Sequence, residues 1–271
     1  MSVLAGVIGD PIGHSRSPRL HGHWLARYGI DGHYVPLRVS AADLDDTLRL
    51  LPRLGFAGIN VTIPHKEAVF ARADVVTDRA RAVGAANTLV FRDGRIHADN
   101  TDGVGFIENL RQGAPDWRAD RPVLVLGAGG AARGIVDALL SSGVSQVTLA
   151  NRTTARADAL AAEFGPSVSV VPWEAISTAM GTQGLLVNTT SLGMAGQPPL
   201  ALDLEPLPRD ALVTDIVYTP LETPLLQAAR ARGNPVVDGL GMLLHQAVPG
   251  FAAWFGTTPE VDDALRRAVL M

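Results

Sequence analysis

The segment "NVTIPHKEAV" (60–69) holds the one lysine of a chain whose other 22 basic residues are all arginine. Arginine stays protonated under nearly all conditions, whereas an ammonium group can exchange its proton at a site that shifts its pKa. An Arg- and Ala-rich coding bias would also leave a stray lysine, so the chemistry of Lys66 depends on its company. Four polar clusters supply that company, each where a strand ends or a helix begins. "GHSRSP" offers the hydroxyls of Ser15 and Ser17 just before Pro18, a good first-turn residue for a helix. "GINVTIPHK" ends a strand with Asn60 and Thr62 and then presents Lys66, "GAANT" brings Asn87, and "NTDGVG" brings Asp102. Singly, each has an ordinary structural use, since serine before proline caps helices and Asn or Asp near Gly forms turns. Together, uncharged donors and acceptors with one amine and one carboxylate suit a small polyhydroxylated substrate.

A second constellation lies further on. "VLVLGAGGAARG" places Gly127 and Gly129 after a strand and Ala132 in the third fingerprint position, immediately before a helix. Glycine lets the backbone turn tightly and approach a pyrophosphate, whose charge then sits on the helix N-terminus. An NAD site would want Asp or Glu about 20 residues on, accepting from the ribose 2′-hydroxyl. Here the next strand ends in "NRTTAR", with Asn151, Arg152, Thr153 and Arg156. Two guanidinium groups and a hydroxyl suit a 2′-phosphate, which favours NADP over NAD.

The elements that must position these residues follow from apolar patterning. β-Branched runs alternate with helical patterns almost throughout, the signature of βα units around mostly parallel sheets. The first half reads as a strand near 3–8, a helix from about 18, a strand near 33–39, a helix near 43–54 and a strand near 58–62. A hairpin follows in "NTLVFRDGRIHAD", with its turn at Asp93-Gly94. The polar stretch "RQGAPDWRADRP" (111–122) opens a new unit, in which "PVLVLG", "QVTLAN", "SVSVV", "GLLVNTT" and "ALVTDIVY" alternate with helical stretches in a doubly wound nucleotide-binding layout. After "NPVVDGLG" the chain reads as helical to its end, and those helices could pack on either domain.

Composition bounds the class. A chain of 271 residues is long enough for two domains, and 47% apolar content provides a sizeable core without disulfides. Absence of cysteine excludes a thiol nucleophile and any cysteine-ligated metal. The N-terminal stretch has no basic flank followed by a long apolar run, so a soluble, cytoplasmic protein is expected, with no membrane partner. A net charge of −4 with scattered arginines argues against nucleic acid. The seven histidines show no metal spacing beyond His21 and His23, which are expected to flank a helix surface, and no metal is assigned.

At this point the chain resembles the shikimate dehydrogenase family, nearly end to end. The landmarks are "GDPIGHSRSP", "GINVTIPHK", "GAANT", "DNTDGVGF", "GAGGAAR", "NRTTAR", "NTTSLGM", "DIVYTPLETPLL" and "DGLGMLLHQA", in one order. The resemblance implies two α/β domains with a cleft between them: an N-terminal substrate-binding and catalytic domain with a mostly parallel sheet (1–102 and 239–271) and a Rossmann-like NADP domain (103–238). It implies NADPH-dependent reduction of 3-dehydroshikimate to shikimate by a monomer or homodimer. By the resemblance Ser15 and Ser17 hold the substrate carboxylate, Thr62, Asn87 and Gln246 contact its body and hydroxyls, and Asn60 and Tyr218 line the site. Lys66 and Asp102 form the catalytic pair. Gly127, Ala128, Gly129, Gly130 and Ala131, with Asn151, Arg152, Thr153, Thr154, Ala155 and Arg156, bind NADP, while Ile216 and Gly239 approach the nicotinamide through their backbones. Asp78 matches an acidic position sometimes given to the cofactor, and Gln246 is implied to close the site across the cleft. The rival readings are a quinate/shikimate dehydrogenase using NAD, a relative acting on an aminated analogue, and a non-catalytic NADP-binding sensor. A sensor has no need of an acid–base pair, and methylenetetrahydrofolate dehydrogenases lack the "HSRSP" and "NTDGVG" blocks.

Overall fold

Short apolar runs build two six-stranded sheets in a computed structural model that describes residues 2–271. The chain divides into one compact unit of Met1–Asp102 with Leu244–Met271 and a second of Gly103–Leu243. In the first, β1 (Val3–Gly9), α1 (Ser17–Arg27), β2 (Gly32–Arg38), α2 (Leu44–Leu50), β3 (Phe56–Val61), α3 (Lys66–Phe70), β4 (Val75–Val76), α4 (Asp78–Val83), β5 (Thr88–Arg92) and β6 (Arg95–Asp99) follow in order. The sheet runs β2-β1-β3-β5-β6-β4. The β1–β2, β1–β3 and β4–β6 pairs are parallel, and the expected hairpin makes β5 antiparallel to both its neighbours. The turn of that hairpin has Asp93 at φ 54° and Gly94 at φ 68°, the two left-handed residues that match the twist of a two-residue loop. Expectation from sequence passed over α3, β4 and α4, which are too short to show a period.

The second unit carries α5 (Asp102–Gly113, from the junction onward), β7 (Val123–Leu126), α6 (Gly130–Ser141), β8 (Val147–Ala150), α7 (Thr154–Phe164), β9 (Val168–Val171), α8 (Ile176–Ala179), β10 (Leu185–Asn188), β11 (Leu212–Asp215), α9 (Pro224–Arg232) and β12 (Val236–Val237). All its strands are parallel in the order β12-β11-β10-β7-β8-β9, the doubly wound arrangement whose strand order reverses at β7. Its central strands β7, β10 and β11 are buried on both faces, as near-continuous apolar runs require. Two helices end the chain, α10 (Leu240–Phe255) and α11 (Asp263–Leu270). From Leu244 onward they belong to the first unit, where Trp254 Nε1 donates to Leu89 O at 3.0 Å. No helix among the described residues is long and apolar enough to cross a membrane.

His21 departs from expectation. Expected to flank a helix surface, it is instead fully buried, because Leu20, His21, Trp24 and Leu25 form the inward stripe of α1. Its ring stacks on Tyr34 at 3.8 Å and 6°, with Trp24, Phe251 and Trp254 around it. Neither ring nitrogen has a hydrogen-bond partner. Burial lowers its pKa to about 3, while the Asn60 amide, near but not aligned for a hydrogen bond, works weakly the other way.

A histidine that the unfolded chain protonates near 6.5 and the folded chain only near 3 confers its full stability above the first value and loses it as pH falls toward the second. The expected loss across that window is of order 4 kcal/mol. Asp99 contributes acid sensitivity in the same unit: burial works against its charge, but Arg79 and Thr77 hold its carboxyl below the ordinary 3.8, so its share is lost only at lower pH. Urea unfolding midpoints between pH 7 and pH 4 are expected to fall steeply in the parent and much less in His21→Phe, which fills the ring volume without titrating. Equal slopes would remove His21 as the cause.

Candidate active site

Lys66 owes its place to a turn fixed on both sides. After β3, His65 is buried with Nε2 2.7 Å from Val39 O, and the Lys66 carbonyl accepts from Ala86 N at 2.9 Å. Lys66 is then the first residue of α3, and its Nζ donates to Asp102 Oδ2 at 2.6 Å. The two side chains are 31% and 22% exposed, so the pair is sheltered yet reachable. Asp102 opens α5, where a carboxylate is favoured by the helix dipole. Its other oxygen, Oδ1, accepts from Asn87 Nδ2 at 2.8 Å.

Asn87 cannot turn over. Its Oδ1 accepts from Thr101 N at 2.9 Å and from Thr88 Oγ1 at 3.0 Å, which leaves Nδ2 for Asp102 and, at 3.3 Å, for Gln246 Oε1. Gln246, on α10, is drawn to the same spot by Thr101 Oγ1, which donates to its carbonyl at 2.8 Å. Five side chains from β3, α3, the residue before β5, α5 and α10 thus converge within one unit: Asn60, Lys66, Asn87, Asp102 and Gln246. Asn60 is only 6% exposed, with Oδ1 accepting from Tyr34 and Nδ2 donating to Asn87 O and Thr88 Oγ1, so its amide is committed to protein partners. Thr62 sits half-buried at the end of β3, its N–H donating to Ile8 O at 3.0 Å.

Ser15 and Ser17 stand at the start of α1. Ser17 is its first residue with Pro18 next, and the helix has no side-chain cap. Ser17 N donates to Ser15 Oγ at 3.3 Å, Pro18 has no N–H and Leu20 N donates to Arg16 O at 3.1 Å, so the two hydroxyls rather than the helix backbone are the groups offered to an anion here.

In the second unit the glycine-rich turn joins β7 to α6 at the carboxyl edge of the sheet. Gly127 is required there: its φ is 114°, and a Cβ would collide with Thr189 Oγ1, which donates to Leu126 O at 2.7 Å. The N-terminus of α6 has no side-chain cap, and Gly129 and Gly130 are exposed with open space where a Cβ would stand, while Ala128 and Ala131 are half-buried. A pyrophosphate fits that cradle. Beyond β8, Asn151 Nδ2 donates to Thr153 O at 2.9 Å and shapes the turn into α7. Arg152, Thr153, Thr154, Ala155 and Arg156 are exposed around the start of α7, and Thr153 does not cap it with its hydroxyl, so both guanidinium groups and that hydroxyl stand free to meet a phosphate.

Ile216 and Gly239 meet: the glycine passes so close to Ile216 O that a Cβ would overlap it. Tyr218 lies half-buried two residues further along the same loop. That loop is pinned by Asp215, a fully buried carboxylate that accepts from Val217 N at 3.0 Å, Asn188 Nδ2 at 2.9 Å and Thr223 Oγ1 at 2.8 Å. Burial holds its carboxyl above the ordinary range despite these donors. Asp78 is the exposed first residue of α4, in the first unit.

Sequence reasoning overlooked Tyr34, Thr88, Thr101, Asn188, Asp215 and Thr223, all of which bond to these groups. A signal existed for two of them, since Thr88 and Thr101 each directly follow an Asn in "NTLV" and "NTDG".

Comparison with known proteins finds three family profiles in order: the shikimate dehydrogenase substrate binding domain over residues 7–89, shikimate/quinate 5-dehydrogenase over 111–194, and the shikimate 5′-dehydrogenase C-terminal domain over 239–270. A shikimate dehydrogenase (NADP(+)) of Paracoccus denitrificans is 63% identical over 269 residues, covering 98% of this chain and 95% of the relative. Among solved structures, shikimate 5-dehydrogenase of Thermus thermophilus in complex with NADP(H) and shikimate is 38% identical, covering 99% of this chain and 100% of that one, at a TM-score of 0.88. Quinate dehydrogenase of Corynebacterium glutamicum in complex with NAD is 35% identical, covering 99% of both chains, at a TM-score of 0.92.

Proposed function

The chain belongs to the shikimate dehydrogenase family, and we propose that Lys66 and Asp102 are the acid–base pair with which it reduces the ketone of 3-dehydroshikimate, giving shikimate and NADP+. The observation that carries this reading is the 2.6 Å contact between the sole lysine and a carboxylate whose other oxygen is held by Asn87. When bound, NADPH supplies the hydride. The chain's own residues bind, orient and move one proton. The substrate carboxylate is assigned to Ser15 and Ser17 at the start of α1, and its ring and hydroxyls to Thr62, Asn87 and Gln246, with Tyr218 as a further substrate residue and Asn60 supporting Asn87.

As negative charge grows on the carbonyl oxygen, the Lys66 ammonium stabilises it and gives up a proton, while Asp102 keeps the amine aimed. In the oxidative direction the neutral amine takes the hydroxyl proton. Exposure of the Lys66 side chain lets solvent restore its protonation between turnovers. The cofactor assignment rests on Gly127–Ala131 for the pyrophosphate and on Asn151–Arg156 for the 2′-phosphate, with Ile216 and Gly239 offered to the nicotinamide and Asp78 retained as a weaker contact. The 1–102 and 239–271 segments are proposed as the substrate-binding domain and 103–238 as the cofactor domain. A cytoplasmic site of action and a monomeric or homodimeric state belong to the same proposal, and light scattering on the eluting protein reads the latter.

Following NADPH absorbance with shikimate and with quinate, each offered NADP+ and NAD+, tests the whole reading. Shikimate with NADP+ is expected to be the fastest pair. A preference for quinate with NAD+ would move the chain to the NAD-using branch, and silence in all four would make it a sensor.

Removing one anchor of the carboxylate gives a finer check. Ser15→Ala is expected to raise the Michaelis constant for shikimate about tenfold, the value of one hydrogen bond to a charged group. An unchanged constant would take the substrate carboxylate away from Ser15.

A further inference from the structure

We propose that Tyr34 is a positioning residue for the Lys66–Asp102 pair, acting through a one-way chain of hydrogen bonds across Asn60, Thr88 and Asn87. The inference rests on the reading that this pair does the chemistry. Tyr34 Oη donates to Asn60 Oδ1 at 2.7 Å, and Asn60 Nδ2 donates to Thr88 Oγ1 at 3.1 Å. Thr88 Oγ1 donates to Asn87 Oδ1 at 3.0 Å, Asn87 Nδ2 to Asp102 Oδ1 at 2.8 Å, and Lys66 Nζ to Asp102 Oδ2 at 2.6 Å. Each link spends one donor on one acceptor and all run toward the carboxylate.

Both amides are also pinned by backbone groups, Asn60 Nδ2 by Asn87 O at 3.1 Å and Asn87 Oδ1 by Thr101 N at 2.9 Å, so only the threonine hydroxyl could reverse, and what Tyr34 sets is the position of Asn60. An amide offers a carbonyl at one end and an NH2 at the other, and what fixes it is a neighbour that can only donate or only accept. At one end stands Asp102, an acceptor. At the other stands the phenol of Tyr34, 8% exposed, which burial holds protonated far above its ordinary range, with the Ser17 hydroxyl beside it pulling the other way. The ring itself is held by the neutral His21 stacked on its face. Tyr34 therefore lies between the serine pair at the start of α1 and the amine that moves the proton, and touches neither of the reacting groups.

Tyr34→Phe removes one oxygen and leaves the stack. Asn60 Oδ1 loses the hydroxyl that holds it and is left buried without that donor, so Asn60 shifts, and with it the Asn87 carbonyl and the Thr88 hydroxyl that its NH2 holds, which loosens the aim of Asn87 on Asp102 without turning its amide over. The expected result is a kcat for shikimate oxidation about tenfold lower, roughly what one buried hydrogen bond is worth, with the KM for NADP+ unchanged and the rate expressed per NADPH-binding site. Asn60→Ala is expected to fall as far, and the Tyr34→Phe, Asn60→Ala double variant no further, because both singles cut the same chain. Lys66→Ala is run in parallel. If it abolishes turnover while Tyr34→Phe stays within about twofold of the parent, or if the Tyr34 and Asn60 losses simply multiply, the chain does not position the pair and the inference falls, the reading of the pair being intact. If Lys66→Ala turns over near-normally, the reading falls and takes the inference with it. Should Tyr34→Phe fail to fold, Thr88→Val cuts the chain one link later, and the same drop in kcat is expected; an unchanged kcat there overturns the inference equally.

Discussion

Lys66→Ala is expected to bind NADPH with near-parental affinity and to turn over at least about a hundredfold more slowly, since positioned general acid–base groups contribute 10² to 10⁴ in rate, or roughly 3 to 5 kcal/mol. The fold should survive the change. The turn is held by His65 and by the Lys66 backbone rather than by the amine, and α3 packs through Val69. Asp102 keeps the Asn87 amide and the start of α5 as partners once the ammonium is gone, so no buried charge is stranded. A second substitution separates charge from proton transfer. Lys66→Arg preserves a cation that can stabilise the developing oxyanion but can hardly give up its proton. It is expected to recover only a small part of the lost rate, and the reduction of 3-dehydroshikimate followed at saturating NADPH measures it. Near-normal turnover in the alanine variant would remove Lys66 from the chemistry; near-normal turnover in the arginine variant would reduce its part to electrostatics.

The site is legible in sequence to different depths, and the difference is physical. Local chemistry is written locally: Asp93-Gly94 specifies its own turn, Gly127 specifies the left-handed residue after β7, and five apolar runs with intervening helical stretches specify a parallel sheet. Lys66 and Asp102 could be singled out because each stands beside a strand end or a helix start, but the residues that aim them could not. Tyr34 is an isolated aromatic on β2, and nothing within ten residues of it discloses that its hydroxyl meets Asn60 on a strand two places away in the sheet. Asp215 lies within the run "ALVTDIVY", which shows only a strand, whereas it is a fully buried carboxylate that ties the end of β10 to the loop after β11. His21 departs from expectation for the opposite reason. Residue type points to a surface, whereas positions 20, 21, 24 and 25 form one face of a helix and predict burial without reference to polarity. Long-range hydrogen bonds and the cost of burying an imidazole are properties of the assembled sheet, and no window of the sequence carries them.

The Arg152→Ala, Arg156→Ala double variant is expected to lose affinity for NADP+ by about a hundredfold or more while its affinity for NAD+ changes little, because a charge-assisted hydrogen bond is worth about 1.5 to 3 kcal/mol and NAD offers no phosphate to receive one. Both side chains are exposed at the start of α7, so their removal should cost the fold little and the binding difference can be read without a stability correction. The asymmetry is the informative part. Gly127, Gly129 and Gly130 and the uncapped start of α6 serve the pyrophosphate that the two cofactors share, so damage there weakens both alike. Only groups at the end of β8 can separate them, and what stands there is Ala150, Asn151 and Arg152, with no carboxylate to accept from a 2′-hydroxyl. Loss of the arginines alone should therefore leave an enzyme that discriminates poorly rather than one that prefers NAD+. Adding Asn151→Asp supplies the missing acceptor and is expected to tip the ratio further toward NAD+. Initial rates with each cofactor, measured for the parent and both variants, decide the matter, and an equal loss for NADP+ and NAD+ in the double variant would place the 2′-phosphate elsewhere.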